Sequence, residues 1–456
     1  MEQIAGQVSE KDFEAALKGL NELNISNCVY DQFKSESDKI LDVFLTCHTD
    51  GDYQNKIAIK CLNLLKRSCA LGESFQNEII SKEPLLGNIS KILNDDGIPE
   101  NVRLNCLQLL ANLCVQNKPN QQRILEEFKE YLLKCIQANT GFTNAATMLV
   151  YNAFIYKADI GLDAQELLTV LLENVETNRR TQQEAPEFVA IFLEYLMCDS
   201  NEVVEGYERI ECEKRILFVR YLNEYIRQDQ DRRSRPLQQD LFKHLLVDFK
   251  KKSDCVLKTV DSYLDGEKTD EVFTLLAFFA DATCVEPYGS FLRQDGALFL
   301  NMGCLLRQLQ TIGKNENGNM FTPVQKIEEI LKVKQGNSEL NIEQDISFTL
   351  KSSLVKALAN LSYKNKKNQN LARDMQIMAA ILECTNLDAR NPLIKEWSIL
   401  AIRNLCDDNL ENQKFVASLT KIGDAENSLL TEYNSAGGTI RIKDGCSAPS
   451  PSSRGQ

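Results

Sequence analysis

The feature that most constrains the fold of this chain is a motif that recurs every 40–45 residues. In each copy an apolar stretch ends in Asn-Leu-Cys or a variant of it, and in most copies a glutamine follows nine residues after the position of the first Asn. The copies fall at these positions: Arg67, Asn112, Asn152, Asn360 and Asn404. Their successive intervals are 45, 40 and 44 residues where neighbouring copies can be paired. A recurrence of this length predicts a chain built from repeated structural units.

The spacing of apolar residues inside the motif indicates that the units are helical. Leu354, Leu358 and Leu361 lie at i, i+4 and i+7, which places them on one face of a helix. A period in the low forties is typical of armadillo and HEAT repeats, whose units bury their apolar faces by stacking. The sequence therefore predicts an all-α fold, an armadillo/HEAT-like α-solenoid that forms a right-handed superhelix of stacked repeats.

The Asn of each Asn-Gln pair stands just before the next helical stretch. Asn120, Asn368 and Asn412 occupy this position. Because an Asn side chain can accept a hydrogen bond from an unpaired amide of the first helical turn, we expect these three residues to be N-caps.

The cysteines follow the same register. Cys69, Cys114 and Cys406 share one position of the repeat, and Cys61 and Cys106 share another. The chain has fifteen cysteines but only two histidines, and no Cys-x-x-Cys pair. Small, weakly polar side chains at helix contacts account for this pattern better than disulfides or zinc. We expect all fifteen thiols to be free and no metal to be bound.

The sequence predicts two repeat regions, a linker between them and a tail after the second. Residues 1–312 are predicted to form N-terminal armadillo-like repeats, and residues 345–432 a C-terminal armadillo domain. Between them, residues 313–344 are rich in Gly and Asn, which predicts a linker or long loop with a short helix over 324–334. Residues 433–456 are rich in Gly, Pro and Ser and are predicted to be a disordered tail that can be removed without loss of stability.

Composition and missing motifs exclude several classes of function. The formal net charge of -13 argues against nucleic-acid binding. The first residues lack a basic region followed by an apolar core, and no apolar run is long enough to span a bilayer, so we expect a cytoplasmic protein without membrane insertion. No phosphate-binding glycine loop, nucleophile elbow, kinase motif or metalloprotease motif is present. The sequence therefore predicts no catalytic, cofactor-binding or metal-binding residues, and an enzyme is the least favoured alternative.

From about residue 350 to 413 the chain closely resembles the C-terminal domain of ataxin-10 proteins. The resemblance is carried by the segments 363–369 (Tyr-Lys-Asn-Lys-Lys-Asn-Gln), 384–388 (Cys-Thr-Asn-Leu-Asp), 391–397 and 401–405 (Ala-Ile-Arg-Asn-Leu), in the family's order. It implies a non-catalytic cytoplasmic adaptor linked to cytokinesis, neurite outgrowth and neuronal survival. It also implies partners among signalling proteins and the O-GlcNAc transferase, and self-association is possible. The chain departs from the pattern before Ile377, where a glycine is expected to open a helix.

The repeat asparagines are the candidate partner-binding residues. In armadillo folds the helix that carries them lines a groove, where an Asn can hold an extended peptide by donating to a carbonyl and accepting from an amide. Helical spacing places further side chains on the same face, so that the candidate groove consists of these residues: Asn112, Lys356, Asn360, Trp397, Leu400 and Asn404. Alternatively, each Asn bonds only to the neighbouring repeat and rigidifies the stack.

A nuclear-import receptor is the alternative function within the binding class. Such receptors repeat a Trp four residues before the groove Asn. Here those positions hold Asn63, Gln108, Lys356 and Leu400. The Trp ladder is absent, so the sequence favours a scaffold with other ligands.

Overall fold

The computed structural model describes residues 2–9, 12–22, 30–46, 51–156, 161, 163–228, 235–258, 267–314, 321–324, 348–386 and 388–418. Within these ranges the regular structure is entirely helical, which confirms the predicted all-α fold. The predicted tail at 433–456, the short helix over 325–334 and most of the loop at 313–344 lie outside the described residues. The predicted domain boundaries stay predictions.

Twenty-two helices are described. The first eleven have these bounds: α1 Glu2–Ser9, α2 Phe13–Glu22, α3 Tyr30–Thr46, α4 Asp52–Cys69, α5 Glu73–Ser81, α6 Leu85–Leu93, α7 Glu100–Leu113, α8 Lys118–Gln137, α9 Thr143–Ile155, α10 Ala164–Thr181 and α11 Glu187–Cys198. The others have these bounds: α12 Val203–Arg209, α13 Cys212–Gln228, α14 Gln239–Lys258, α15 Glu267–Ala282, α16 Tyr288–Arg293, α17 Gly296–Gly313, α18 Leu350–Ser362, α19 Lys366–Asp374, α20 Ile377–Glu383, α21 Ile394–Cys406 and α22 Leu410–Ser418.

The chain forms two compact units. Unit 1 comprises residues 1–218 and 233–244, and unit 2 comprises residues 219–232 and 245–456. In unit 1, helix α7 packs between α4 and α9, and α9 packs on α11. In unit 2, α18 packs between α15 and α21. Of these helices, α4, α7, α9, α18 and α21 carry the repeat motif, so motif helices stack on one another within each unit.

The apolar face predicted for the motif helix is buried. Leu354, Leu358 and Leu361 have no solvent exposure, and Leu110 and Leu113 of α7, which are equivalent to Leu358 and Leu361, are buried in the same way. This confirms the helical interpretation of the leucine spacing.

The predicted N-caps were wrong by one helical turn. Asn120, Asn368 and Asn412 lie inside their helices and are almost fully buried. Each donates its Nδ2 back to a carbonyl at the end of the preceding helix, as Asn368 does to Leu361 at 2.9 Å. The caps are the asparagines three residues earlier, and Asn365 accepts from the amide of Asn368 at 3.1 Å. The preceding Asn was missed because polar lysines fill the first turn.

The glutamine of the Asn-Gln pair connects adjacent repeats. In unit 2 the buried Gln369 donates its Nε2 to the carbonyl of Asn404 at 2.9 Å and to that of Asp407 at 3.2 Å, both in the next repeat. Its Oε1 accepts from the side chain of Asn409 at 3.1 Å. We call this arrangement the glutamine bridge. It satisfies carbonyls at a helix C-terminus that the helix itself leaves unpaired.

The same bridge occurs in unit 1. Gln76 donates to the carbonyls of Asn112 at 3.3 Å and Val115 at 3.1 Å, and its Oε1 accepts from Asn117 at 2.9 Å. Gln413 repeats the motif at the last described helix, where it is exposed and, among the described residues, bonds to the carbonyl of Cys406 alone, at 2.9 Å. The bridge therefore needs a following repeat to complete it.

The segment Asp388–Asn391, part of the region that resembles ataxin-10 proteins, is a buried polar junction. The Asp388 carboxylate lies 3.6 Å from the Lys351 ammonium, and both side chains are about 5% exposed. Lys351 also donates to the carbonyl of Phe321 at 2.6 Å, and Asp388 accepts from the side chain of Asn391 at 2.8 Å. Asn391 in turn accepts from the backbone amide of Lys351 at 2.8 Å, at the start of α18. The junction fixes residues 321–324 against α18.

The missing glycine before Ile377 leaves a backbone position that suits glycine. Gln376, the N-cap of α20, has φ +58° and ψ +20°, in the left-handed region. A side chain there costs about 1 kcal/mol because Cβ crowds the following carbonyl oxygen.

We expect Gln376→Gly to raise the free energy of unfolding by roughly 1 kcal/mol, since glycine adopts this conformation without strain. Urea denaturation measures the change. The matched control is Gln376→Ala, which retains Cβ and should leave stability close to that of the original chain. A glycine variant no more stable than the alanine variant would contradict the strain.

Candidate functional site

Five of the six predicted groove residues lie on two adjacent helices of unit 2. Lys356 and Asn360 are on α18, and Trp397, Leu400 and Asn404 are on α21, which packs against α18. The Lys356 ammonium lies 5.6 Å from the centroid of the Trp397 ring, a cation–π distance, and it pairs with the carboxylate of Asp281 on α15. Trp397 is thereby held on a face formed by three stacked helices.

Asn360, Leu400 and Asn404 line one cavity of about 410 Å³, which we call the unit 2 groove. Its remaining lining residues are these: Arg293, Tyr363, Lys364, Arg403 and Asp407. Lys356 and Trp397 are not among its lining residues. The sixth predicted residue, Asn112, belongs to unit 1 and lines a separate cavity there.

The three repeat asparagines all use their amide N–H groups within the stack. Asn404 donates to the carbonyl of Ala359, one repeat earlier, at 2.9 Å, and Asn112 donates to that of Lys66 at 3.4 Å. Asn360 donates to the hydroxyl of Thr283 at 3.0 Å and to the sulfur of Cys284 at 3.1 Å.

Their side-chain oxygens have a different role. Within the described residues, no donor bonds to Oδ1 of Asn112, Asn360 or Asn404, and none of these atoms is a buried unsatisfied acceptor. The oxygens therefore face solvent at the groove. The geometry supports a stacking role for the N–H group and leaves the oxygen able to accept from a peptide amide, so the ligand role stays a prediction.

We expect Asn404→Ala to lower the free energy of unfolding by about 2 kcal/mol, because the side chain is 7% exposed and its bond crosses between repeats. Asn360→Ala should cost less than about 1 kcal/mol, since its partners are side chains at a half-exposed position. Thermal and urea denaturation compare the two variants. An Asn404 variant as stable as the original chain would contradict the stacking role.

Sequence reasoning missed the cationic residues of the unit 2 groove. Arg403 is exposed, and no described residue forms an ion pair with it. Lys364 lies 5.3 Å from the centroid of the half-exposed Tyr363 ring. Both lie within segments that carry the family resemblance, but only the stacked helices show that they reach the same cavity.

The thiols of the buried cysteines are unreactive. Burial raises the pKa of the thiols of Cys69, Cys106 and Cys384 to about 12, so they stay protonated at neutral pH. Among the described residues there is no group of three or more His, Cys, Asp or Glu side chains suited to hold a metal. None of the helices that are described has the length and apolar character needed to cross a membrane.

Comparison with known proteins agrees with the motif. Residues 350–445 match the family model described as spinocerebellar ataxia type 10 protein domain. Ataxin-10 of Homo sapiens is 23% identical over 438 residues, which cover 90% of this chain and 87% of that protein. The chain is similar to ataxin-10 proteins over most of its length. The expected resemblance is thereby confirmed, and it extends beyond the C-terminal segments that first indicated it.

Other members of the ataxin-10 family show where the similarity is concentrated. The ataxin-10 homolog of Dictyostelium discoideum is 44% identical over 110 residues, 23% of this chain and 18% of that protein. Ataxin-10 of Bos taurus is 25% identical over 338 residues, 71% of this chain and 66% of that protein, just under two thirds. Residues 1–204 also match the model of the interferon-related developmental regulator family, which no sequence motif had indicated. The similarity to ataxin-10 proteins and the helical repeats together support a non-catalytic scaffold in general.

Proposed function

We propose that this protein is a non-catalytic cytoplasmic scaffold that binds other proteins through its repeat grooves. The observation that carries the proposal is the unit 2 groove, where Asn360, Leu400 and Asn404 meet beside Arg403. It presents solvent-facing amide oxygens for peptide N–H groups, an apolar contact and a cation with which no described residue forms an ion pair. These are the groups that hold an extended protein segment.

The resemblance to ataxin-10 proteins suggests which processes the scaffold serves. We infer that its partners are signalling proteins and the O-GlcNAc transferase, and that it acts in cytokinesis, neurite outgrowth and neuronal survival. The charge of the groove disfavours the nuclear-import alternative. Three cationic side chains and one carboxylate line it, which would repel a basic localisation signal.

Trp397 allows the proposal to be tested directly, because it is the chain's single Trp and lies one helical turn from Leu400. Titration with the O-GlcNAc transferase, observed by partner capture and by energy transfer from Trp397 to an acceptor dye on the transferase, should show saturable binding. Arg403→Glu should weaken that binding roughly tenfold, since a desolvated charge contact is worth about 1.5–3 kcal/mol.

The matched control for this experiment is Lys367→Glu. Lys367 is an exposed cation on α19 outside the unit 2 groove, so its reversal changes the net charge equally. Both variants should melt like the original chain. If Lys367→Glu weakens binding as much as Arg403→Glu, or if neither does, the unit 2 groove is not the binding site.

A further inference from the structure

A polar groove of unit 1 lies on the face of α4, α7 and α9, and it is the cavity that Asn112 lines. It encloses about 580 Å³, and we call it the unit 1 groove. Its polar lining residues are these: Asn63, Lys66, Arg67, Gln108, Asn112 and Asn144. Among the ten described residues that line it, none is Asp or Glu, although the whole chain has a net charge of -13.

Among the described residues, no carboxylate pairs with the cations of this groove. The Lys66 ammonium donates to Oδ1 of Asn105 and to Oε1 of Gln108, each at 2.6 Å. Burial lowers the pKa of Lys66, because the loss of water around the ammonium disfavours its charged form. Arg67 is exposed, and no ion pair to it is formed by any residue within the described ranges. The groove thus holds two basic side chains whose charge no described carboxylate compensates.

The amides around these cations are arranged to bind a peptide backbone. Gln108 turns its oxygen to Lys66, which leaves its N–H₂ group for a ligand carbonyl. Asn144 uses its oxygen to accept from the amide of Phe188 at 2.9 Å, which likewise leaves its N–H₂ group. Asn112 uses its N–H₂ group within the stack and keeps its oxygen for a ligand amide. Two amide donors on α7 and α9 and one amide acceptor on α7 therefore remain for a ligand in this groove.

We propose that the unit 1 groove binds an extended peptide segment that carries acidic side chains. Three stacked helices about 9 Å apart span roughly 18 Å, which about six residues of extended chain cover at about 3.3 Å each. Glutamate or aspartate side chains of the segment reach Lys66 and Arg67, while its backbone pairs with the amides. The proposal rests on the scaffold function above and adds the chemistry of one partner segment.

A nucleic acid fits this groove less well. Its lining has no aromatic side chain on which a base could stack, and it offers two cations against the negative charge of the rest of the chain. Single-stranded RNA is therefore included in the test as a competing ligand.

The test measures the fluorescence anisotropy of a fluorescein-labelled peptide that alternates glutamate and serine, titrated with the full chain. We expect saturable binding that weakens with salt, and at least roughly tenfold weaker binding of the matching glutamine–serine peptide. Arg67→Glu should weaken binding of the acidic peptide by roughly tenfold or more. Lys66→Met should have an effect of similar size.

The control is Lys91→Glu, an exposed cation on α6 outside the unit 1 groove, which should bind the peptide almost as the original chain does. Arg67→Glu should melt like the original chain because its side chain is exposed and unpaired. The proposal is overturned if the glutamine–serine peptide binds as tightly as the acidic peptide. It is also overturned if Lys91→Glu and Arg67→Glu weaken binding of the acidic peptide equally, or if single-stranded RNA binds more tightly than that peptide.

The two proposals fail separately. If Arg403→Glu abolishes capture of the transferase while Arg67→Glu still binds the acidic peptide, only the acidic-peptide inference is wrong. If Arg67→Glu loses the peptide while Arg403→Glu leaves transferase binding intact, the unit 2 groove is wrong as the partner site and the unit 1 groove stands.

Discussion

Replacing Gln369 by Ala should lower the free energy of unfolding of unit 2 by about 3 kcal/mol, because it leaves several buried groups without partners. Gln369 is 2% exposed. Its amide donates to the carbonyls of Asn404 and Asp407, and its oxygen accepts from Asn409. An alanine side chain can form none of these hydrogen bonds, and water has little room to replace them. Urea denaturation followed by circular dichroism measures the loss.

The repeat supplies its own matched control. Gln413 occupies the same motif position one repeat later, but it is exposed and makes one bond to its own preceding helix. Gln413→Ala should therefore cost less than about 0.5 kcal/mol. Gln76→Ala in unit 1 should behave like Gln369→Ala, since its bridge has the same partners. Equal effects at 369 and 413 would show that the motif acts through helix propensity and not through the bridge.

Replacing Asp388 by Ala should be more damaging still, at about 3–5 kcal/mol, because it leaves the Lys351 ammonium buried without its counter-charge. The change also removes the acceptor for Asn391, whose own oxygen accepts from the first amides of α18. We expect a lower urea midpoint for unit 2. Residues 321–324, which Lys351 holds through the carbonyl of Phe321, should become more accessible to proteolysis.

Two further variants separate charge from shape at this junction. Asp388→Asn keeps the size and one acceptor, so it should recover part of the lost stability. Glu396→Ala removes an exposed carboxylate of α21 and should have almost no effect. If Asp388→Ala is as mild as Glu396→Ala, the pair with Lys351 does not stabilise the fold.

The helices, and the shared helix face of Leu400 and Asn404, could be predicted from sequence because both follow from local spacing, whereas the division of the six candidate residues between two cavities could not. The apolar face with Leu354 and Leu358 is a helical pattern, and the same pattern places Leu400 and Asn404 on one side of α21. The N-caps were misplaced because an Asn inside a helix and an Asn before it look alike in sequence. Only the bonds of Asn365 and Asn368 show which one faces an unpaired amide.

The remaining features depend on contacts between repeats, which no single motif encodes. The partners of Gln369 lie 35 and more residues away, and those of Lys66 lie on the next repeat. The left-handed backbone at Gln376 was indicated by the missing glycine, but its φ value follows from packing. Cations such as Arg403 and Arg67 look like ordinary surface charges until stacking shows which ones share a groove.

The glutamine bridge also constrains how an array of this kind can change length. Each bridge takes its donor from one repeat and its acceptors from the next, so Gln369 and the carbonyl of Asn404 are satisfied together or not at all. A duplication or deletion that spans one full period restores a complete set of partners at the new boundary. A duplication or deletion with any other bounds leaves a buried amide or carbonyl without its hydrogen-bond partner. Sequences built on this bridge should therefore gain or lose residues in steps of roughly 40–45, with other insertions confined to the connections between repeats.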